Sequence, residues 1–336
     1  MKRTTRYVAV LALATAAAAP ATFAQAPVSL KLATIVGLDN PFSSAAVKFK
    51  EVAEAKSGGR LKVEVYPAGQ LAKNETVMLE GMQLGTVDMG AIVTSSIGGK
   101  FDPKFLAPDI PFLWQSREHI WKVLDGPLGT ELMKRLEPLG ARGFCYGGGY
   151  GFRNILSNKR PILTPDDLKG QTIRVPPIPT IVETMKQFGA NPVPMQWGEV
   201  YLAMKQGTID GLELPPTTMV SDKFPEVTKY YSKTLHSYPP AIWMMASAKY
   251  KSLPADLRKV IDETMLESCA QHRLDEVRAD ADSMASMRVK GVQVNEVKDL
   301  KVFQQRATPV YKFLEGKVGK DLYDKWVAAA NAAAKK

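Results

Sequence analysis

The sequence predicts an α/β fold with mostly parallel strands, and three observations carry this prediction. Strand-like and helix-like segments alternate from about residue 30 onward. The middle of the chain repeats the same alternation with no low-complexity linker before it, so we expect two α/β units joined by crossing strands. A late helical segment is too long for one unit, which indicates a helix that spans both.

The first unit shows a clear change of hydrophobic period along its length. Leu61, Val63 and Val65 alternate with charged residues, which is the pattern of a half-buried strand. Asn74 and Gly85 stand where a helix N-cap and C-cap are expected. The elements predicted for this unit are a strand over Leu30–Val36, a helix from about Ser43 to Gly58, the strand at 61–65, a helix over Glu75–Leu84 and a strand over Val87–Val93.

The middle unit has the same order. Thr164 followed by Pro165 and two aspartates predicts a helix start, with the acids facing the helix N-terminus. The other elements predicted here are strands over Gly143–Tyr146 and Gln171–Val175 and helices over about Thr180–Gly189 and Gly198–Gln206.

The segment from Pro254 to about Lys290 contains no internal proline or glycine. A single helix of this length would span roughly 55 Å. Two helices with a break near Arg273 are the alternative that the sequence leaves open.

The N-terminus has the pattern of a secretory signal peptide at residues 1–24. A basic start with Lys2, Arg3 and Arg6 precedes an apolar stretch, and small residues at Thr22 and Ala24 predict cleavage after Ala24. The alternative is a membrane anchor, but the apolar run is short for a span of about 20 residues. We therefore expect a mature protein in the periplasm.

The charge and cysteine content limit the classes of partner and the redox state that we expect for this protein. The formal net charge of +10 falls to +7 once the three basic residues of the signal are removed. The remaining Lys and Arg residues are scattered, with no dense run, which argues against nucleic acid as a partner. For Cys145 and Cys269 we expect two buried free thiols, although an exported protein permits a disulfide.

No pattern indicates an enzyme, a cofactor or a metal site. The run Gly147–Gly151 lacks the Lys-Ser/Thr of a phosphate-binding loop and the spacing of a dinucleotide fingerprint. His119, His236 and His272 are far apart and form no ligand spacing with the cysteines.

Arg174 is the residue that most suggests binding. It lies in an apolar strand between Ile173 and Val175, where a buried charge is costly unless it has a partner. Its planar guanidinium fits a carboxylate through two parallel hydrogen bonds. Residue chemistry alone leaves two readings open, a ligand carboxylate or a nearby structural Asp or Glu.

Several short motifs occur in a specific order over about residues 28–325. They are Val65–Leu71, Gly85–Met89, Gly151–Asn154, Ser157-Asn158, Arg160-Pro161, Lys169-Gly170, Arg174–Pro176, Glu199–Tyr201 and Ile209–Glu213. With these motifs the chain resembles the DctP-like periplasmic solute receptors of tripartite ATP-independent periplasmic (TRAP) transporters.

The resemblance implies a two-lobed periplasmic-binding-protein fold that closes on its ligand like a flytrap, with a long helix spanning both lobes. It implies lobe I from residues 27–150 plus 240–275 and lobe II from residues 151–239 plus 276–336. It also implies that Arg174 binds the carboxylate of a small organic acid, that Arg153 adds a second contact, and that the membrane subunits of a TRAP transporter are the partner.

Departures from the family pattern bear on the ligand. Leu214 stands where many sugar-acid receptors carry Asn, and the cleft positions expected to contact ligand are otherwise apolar, aromatic or short: Ile35, Val93, Ser96, Tyr150, Trp197 and Trp243. Glu213 either accepts a hydrogen bond from the ligand or orients Arg174. The pattern favours a compact monocarboxylate, either aromatic, 2-hydroxy, 2-oxo or cyclic, because each unpaired hydroxyl of a sugar acid would cost roughly 1–3 kcal/mol. A sugar acid, or a sensor role without transport, is the alternative.

Overall fold

A computed structural model describes residues 26–334 of the chain. The predicted signal peptide, residues 1–24, lies outside this range. Across residues 26–334, none of the helices combines the length and apolar character that a membrane crossing requires.

Two mixed sheets organise residues 26–334. The first has five strands in the order β2-β1-β3-β10-β4, and the second has six in the order β11-β9-β5-β8-β6-β7. The strands are β1 Val28–Ala33, β2 Leu61–Tyr66, β3 Met89–Val93, β4 Ala141–Tyr146, β5 Arg153–Ser157, β6 Thr172–Val175, β7 Asn191–Pro194, β8 Gly211–Leu214, β9 Tyr230–Ser237, β10 Ala241–Ala246 and β11 Gln293–Glu296.

The prediction of parallel strands is confirmed where helices connect consecutive strands. β1 pairs in parallel with β2 and β3, and β6 pairs in parallel with β7 and β8. The antiparallel strands occur where the chain crosses between sheets. β5 runs antiparallel to β8 and β9, and β10 returns to the first sheet antiparallel to β3 and β4. Each sheet, with its helices, forms one lobe.

Helices cover both sheets. Their bounds are α1 Pro41–Lys56, α2 Glu75–Leu84, α3 Thr94–Lys100, α4 Arg117–Leu124, α5 Pro127–Lys134, α6 Pro179–Gln187, α7 Trp197–Gln206, α8 Pro216–Ser221, α9 Ser247–Ser252, α10 Ala255–Val289, α11 Lys301–Arg306, α12 Thr308–Val318 and α13 Lys320–Ala334. Short 3₁₀ helices lie at Pro103–Asp109, Glu137–Leu139, Pro165–Leu168 and Phe224–Glu226.

Helix boundaries follow the caps read from the sequence. The side chain of Asn74 accepts the Val77 backbone N–H at the start of α2, and Gly85 ends that helix in the left-handed conformation at φ 75°. The helix expected at Thr164 is shorter than predicted. Thr164 and Asp167 form a capping box, but only one 3₁₀ turn follows before the strand that carries Arg174.

Helix α10 is one unbroken helix of 35 residues, so the alternative of a break near Arg273 is wrong. It packs on α1 and β4 in the first lobe and on α8 and β11 in the second. The position within α10 at which one lobe gives way to the other stays a prediction.

Helix α13 differs from the expected division, which assigned residues 276–336 to the second lobe, whereas Phe303 of α11 is buried in the second lobe as expected. Trp326 and Ala330 of α13 are buried in the same core cluster as Trp114 and Ile120 of the first lobe. The sequence does not show which apolar surface α13 covers, and in the structure that surface belongs to lobe I.

The two cysteines are joined, so the expectation of free thiols is wrong. Cys145 on β4 and Cys269 on α10 form a disulfide with a Cα–Cα distance of 6.4 Å. The fold brings together residues that are 124 positions apart, which no sequence spacing could show. The bond ties the long helix to the edge strand of the first sheet.

Candidate functional site

A cavity of about 440 Å³ lies between the two lobes. Its wall combines the ends of strands and helices from both sheets, as expected for a ligand site at a junction of two α/β units. Eight of the ten residues expected to contact a ligand line this cavity: Ile35, Val93, Ser96, Tyr150, Arg153, Arg174, Trp197 and Leu214. Glu213 and Trp243 do not line it.

Arg174 is buried at the cavity wall without an acidic partner. Its Nε and Nη2 donate to the carbonyl oxygen of Met195 at 3.0 and 2.7 Å, and its guanidinium lies 5.4 Å from the ring centroid of Trp197. Within residues 26–334 it forms no ion pair, and only 3% of its surface is exposed. Burial lowers the pKa of Arg174 to about 9, which Glu213 only partly opposes. The site therefore holds a desolvated positive charge that an anion would neutralise.

Arg153 has the partner that Arg174 lacks. Its Nη2 donates to Glu213 Oε1 at 2.6 Å and to the Glu213 carbonyl at 3.0 Å, and its Nε also pairs with the carboxylate. Burial is the largest single effect on Arg153 and opposes its charge, but the charge and hydrogen bonds of Glu213, together with the charges of Asp109 and Glu75, raise its pKa. His236 Nε2 lies 3.6 Å from the same carboxylate.

This arrangement fits neither of the two roles that the sequence left open for Glu213, which does not line the cavity. Its side chain is fully buried, and it holds Arg153 in place by direct hydrogen bonds. The expected orientation of Arg174 by Glu213 is wrong, because the nearest acceptor of Arg174 is the backbone of Met195. Glu213 acts on Arg174 only through its charge.

Trp243 is a core residue, so the expectation that it reaches the ligand is wrong. It is 1% exposed, and its indole N–H is 3.2 Å from Nδ1 of His272 on α10. Ala241, Trp243 and Met245 all point into the cluster between the first sheet and helices α1 and α10. Val93 and Tyr150, which line the cavity, belong to the same cluster, so Trp243 packs behind the cavity wall and is not part of it. The sequence could not show how deep in the core this side chain lies.

A polar strip on the first lobe was missed from the sequence. Asn74, Glu75 and Thr76 at the start of α2 line the cavity, and the hydroxyl of Tyr150 donates to Glu75 Oε1 at 3.0 Å. Burial raises the pKa of Glu75 to about 7, although hydrogen bonds to its carboxylate oppose the rise. An acidic residue after an N-cap is a common helix start, so nothing in the sequence indicated a second role for Glu75.

Direct hydrogen bonds cross between the lobes beside the cavity. Asn74 Nδ2 donates to Gln196 Oε1 at 3.2 Å, and Asn40 Nδ2 donates to Ser221 Oγ at 3.4 Å. The structure is therefore a closed form of the cleft. No group of three or more His, Cys, Asp or Glu side chains suited to a metal ion occurs within residues 26–334.

Comparison with known proteins agrees with this geometry. A model of the family described as bacterial extracellular solute-binding protein, family 7 (DctP), matches residues 32–317. The C4-dicarboxylate-binding periplasmic protein DctP of Rhodobacter capsulatus is 30% identical over 312 residues, which cover 91% of this chain and 91% of that protein.

Two solved structures share the fold over nearly their full length. The sugar acid binding protein DctPAm of Advenella mimigardefordensis, in complex with galactonate, has a TM-score of 0.88 at 27% identity and covers 92% of this chain and 99% of its own. A TRAP periplasmic solute binding protein of Bordetella bronchiseptica, with density assigned as pantoate, has a TM-score of 0.84 at 30% identity and covers 90% and 99%.

The predicted two-lobed fold with its long helix is thus confirmed. The family consists of transporter solute-binding proteins and not of enzymes. The chain belongs to the DctP family of TRAP solute-binding proteins, which take small organic acids.

Proposed function

We propose that this solute receptor binds a compact monocarboxylate between its lobes and delivers it to the membrane subunits of a TRAP transporter. The observation that carries the proposal is the buried guanidinium of Arg174, which faces the cavity with no acidic partner in residues 26–334. A ligand carboxylate on Arg174 would supply the missing charge and the hydrogen-bond acceptors.

The charges around the cavity favour one carboxylate over two. Three basic residues line it, and two of them already have acidic partners: Arg153 pairs with Glu213, and Lys100 pairs with Glu80. Only Arg174 remains uncompensated. A second ligand carboxylate would meet Glu75 and an already neutralised Arg153, and a desolvated charge without a partner is strongly unfavourable.

The shape of the wall favours a ligand with an apolar body. Ile35, Val93 and Leu214 present hydrocarbon to the cavity, and the indole of Trp197 lies beside the Arg174 guanidinium. Each apolar group of the ligand that replaces water on this wall gains roughly 0.8 kcal/mol per buried methylene. A ligand hydroxyl facing these side chains would lose its hydrogen bonds.

The polar strip at Asn74, Glu75 and Thr76 narrows the class of monocarboxylates that fit the cavity. It can pair with one or two hydrogen-bonding groups on the ligand, which suits a 2-hydroxy or 2-oxo acid better than a plain hydrocarbon acid. Support comes from the similar Bordetella structure, whose assigned ligand, pantoate, is a compact 2-hydroxy acid with two methyl groups and one further hydroxyl.

The same strip also favours a second candidate, a sugar acid. Ser96, Gln196 and Thr218 extend the set of polar groups around the cavity. The similar Advenella receptor carries galactonate. Under this candidate the hydroxyls of the ligand would lie along α2, with the carboxylate still on Arg174.

Lobe closure couples binding to transport in this proposal. The open cleft leaves Arg174 hydrated, and closure removes that water and strengthens the attraction to the carboxylate. The hydrogen bonds from Asn74 to Gln196 and from Asn40 to Ser221 then hold the closed surface that the membrane subunits recognise. An export signal cut after Ala24 would place the receptor outside the cytoplasm.

A thermal-shift panel on the mature protein tests the ligand class. It compares pantoate, lactate, pyruvate and pyroglutamate with galactonate, glucuronate and succinate. At one hundred times its dissociation constant a true ligand stabilises the fold by about 2.7 kcal/mol. The matched control is Arg174→Met, which keeps an unbranched side chain and removes the charge and the N–H donors.

We expect compact monocarboxylates to stabilise the wild type but not Arg174→Met. Stabilisation by galactonate or glucuronate alone would establish the second candidate instead. A response to succinate alone would contradict the argument from the single uncompensated charge. A response that Arg174→Met retains would contradict the role of Arg174.

A further inference from the structure

Helix α10 carries an apolar stripe on its outer face that the fold does not use. The stripe consists of Leu266, Ala270, Leu274, Val277, Ala281 and Ala285, all exposed. Leu266 and Leu274 are 58% and 52% exposed. The residues recur at steps of three or four and so form one line along the helix, opposite the face that packs on both lobes.

The stripe is separate from the solute site. None of the residues that line the interlobe cavity belongs to α10. The helix buries its other face through residues such as Ile261, Cys269 and Glu276. Contiguous exposed apolar patches on soluble proteins mark interaction sites, whereas single exposed apolar residues are ordinary.

The order of residues in the stripe is self-complementary. When two copies of α10 lie antiparallel and are centred between Asp275 and Glu276, Leu274 of one copy meets Val277 of the other. Under the same centring Ala270 meets Ala281, and the large Leu266 meets the small Ala285. Each of these contacts then occurs twice, which is the property of a two-fold symmetric interface.

Charges at the two ends fit the same register. Glu263 and Arg288 lie equally far from this centre and on the same outer face, so each Glu263 would meet Arg288 of the other copy. Within one chain these two residues are about 37 Å apart along the helix and cannot pair. The competing contact of Glu263, with Lys259, is 3.9 Å long and fully on the surface.

We infer that two copies of this protein associate through an antiparallel pairing of their α10 helices. One pair of helices of this length buries less than a standard interface of about 1,600 Å², so the dimer is weak and forms at high protein concentration. Both cavities stay accessible, because the contact is on the face of α10 that points away from the lobes.

Sedimentation velocity of the mature protein, from about 1 μM to about 1 mM, tests the pairing over the range in which a weak dimer forms. Leu274→Arg should abolish the dimer, since it introduces two facing charges at the centre. Leu84→Arg is the matched control, because Leu84 is 80% exposed on α2, away from the stripe. Both variants change a surface residue and should keep the fold, which thermal unfolding checks.

A charge exchange tests the register itself. Glu263→Arg and Arg288→Glu should each weaken the dimer by about tenfold, since each breaks two ion pairs. The double variant should recover wild-type association to within about threefold, because the pairs form again with reversed charge. A purely monomeric wild-type protein, a dimer that Leu274→Arg leaves intact, or a double variant weaker than either single one would overturn the inference.

Discussion

Arg153 on β5 and Glu213 on the neighbouring strand β8 form a buried ion pair, in which Arg153 Nη2 donates to Glu213 Oε1 at 2.6 Å. Arg174, on the other side of β8, has no such partner among the described residues. The two arginines each lie in a short strand, but within residues 26–334 only the charge of Arg153 is neutralised by an acidic partner. One is held by the protein, and the other is available to a ligand.

The first prediction follows from this difference. Glu213→Gln should lower the free energy of unfolding by about 3–5 kcal/mol, because it leaves the Arg153 charge buried without compensation. Urea unfolding followed by circular dichroism measures the change.

The double variant Arg153→Met with Glu213→Gln is the control for this prediction. It removes both charges, so we expect it to be more stable than the sum of the two single losses indicates. Additive losses would mean that the two side chains do not depend on each other.

The second prediction separates the two tryptophans. Trp197→Leu should weaken carboxylate binding by about tenfold, because the guanidinium of Arg174 loses the ring that lies 5.4 Å away. Trp243→Leu should leave the affinity of the folded protein within about threefold and cost about 2–4 kcal/mol of stability, since it opens a hole in the core.

Isothermal titration with the best ligand and urea unfolding give the two measurements. The two variants carry the same substitution and so control for each other. A large loss of affinity in Trp243→Leu with unchanged stability would show that Trp243 belongs to the binding site after all.

The third prediction concerns pH. Burial raises the pKa of Glu75 to about 7 from an ordinary value of 4.5, so the folded protein favours the protonated form. This contribution to stability is complete below about pH 4.5 and is lost as pH rises through 7. The side chain of Glu75→Gln stays neutral at every pH. The melting temperature of this variant minus that of the wild type should therefore increase from pH 5 to pH 8.

Melting temperatures of the ligand-free proteins across this pH range provide the measurement. Burial also raises the pKa values of Asp109, Asp222 and Glu276 to about 7. These three groups therefore also lower the stability of the fold as the pH rises. Their effect is common to both proteins and cancels in the difference. Parallel curves for the two proteins would contradict the role assigned to Glu75.

The fourth prediction concerns the disulfide between Cys145 and Cys269. Replacing both with alanine should lower the free energy of unfolding by about 2–5 kcal/mol, since a long loop of the unfolded chain is no longer closed. Urea unfolding with and without a reducing agent measures this. The reducing agent should destabilise the wild type and leave the double variant unchanged, and equal sensitivity of both proteins would exclude the bond as the cause.

Local patterns in the sequence predicted most helices and strands correctly. Hydrophobic period and caps depend on neighbouring residues, so α2, with Asn74 before it and Gly85 after it, was fixed almost to the residue. The ends of strands were less certain. The first strand was expected at Leu30–Val36 and is observed at Val28–Ala33, because a fully buried apolar run does not show where pairing starts.

The sequence by itself determined the α/β architecture, indicated the long helix and singled out Arg174 as the candidate carboxylate-binding residue. Only the tertiary structure decided that Glu213 pairs with Arg153, that Trp243 faces the core, that the cysteines are bonded, and that Glu75 joins the cavity. The physical reason is the same in each case. Helix and strand formation depend on nearby residues, whereas ion pairs, burial and cavity walls depend on residues that are distant in the chain and meet only when the sheets and helices pack.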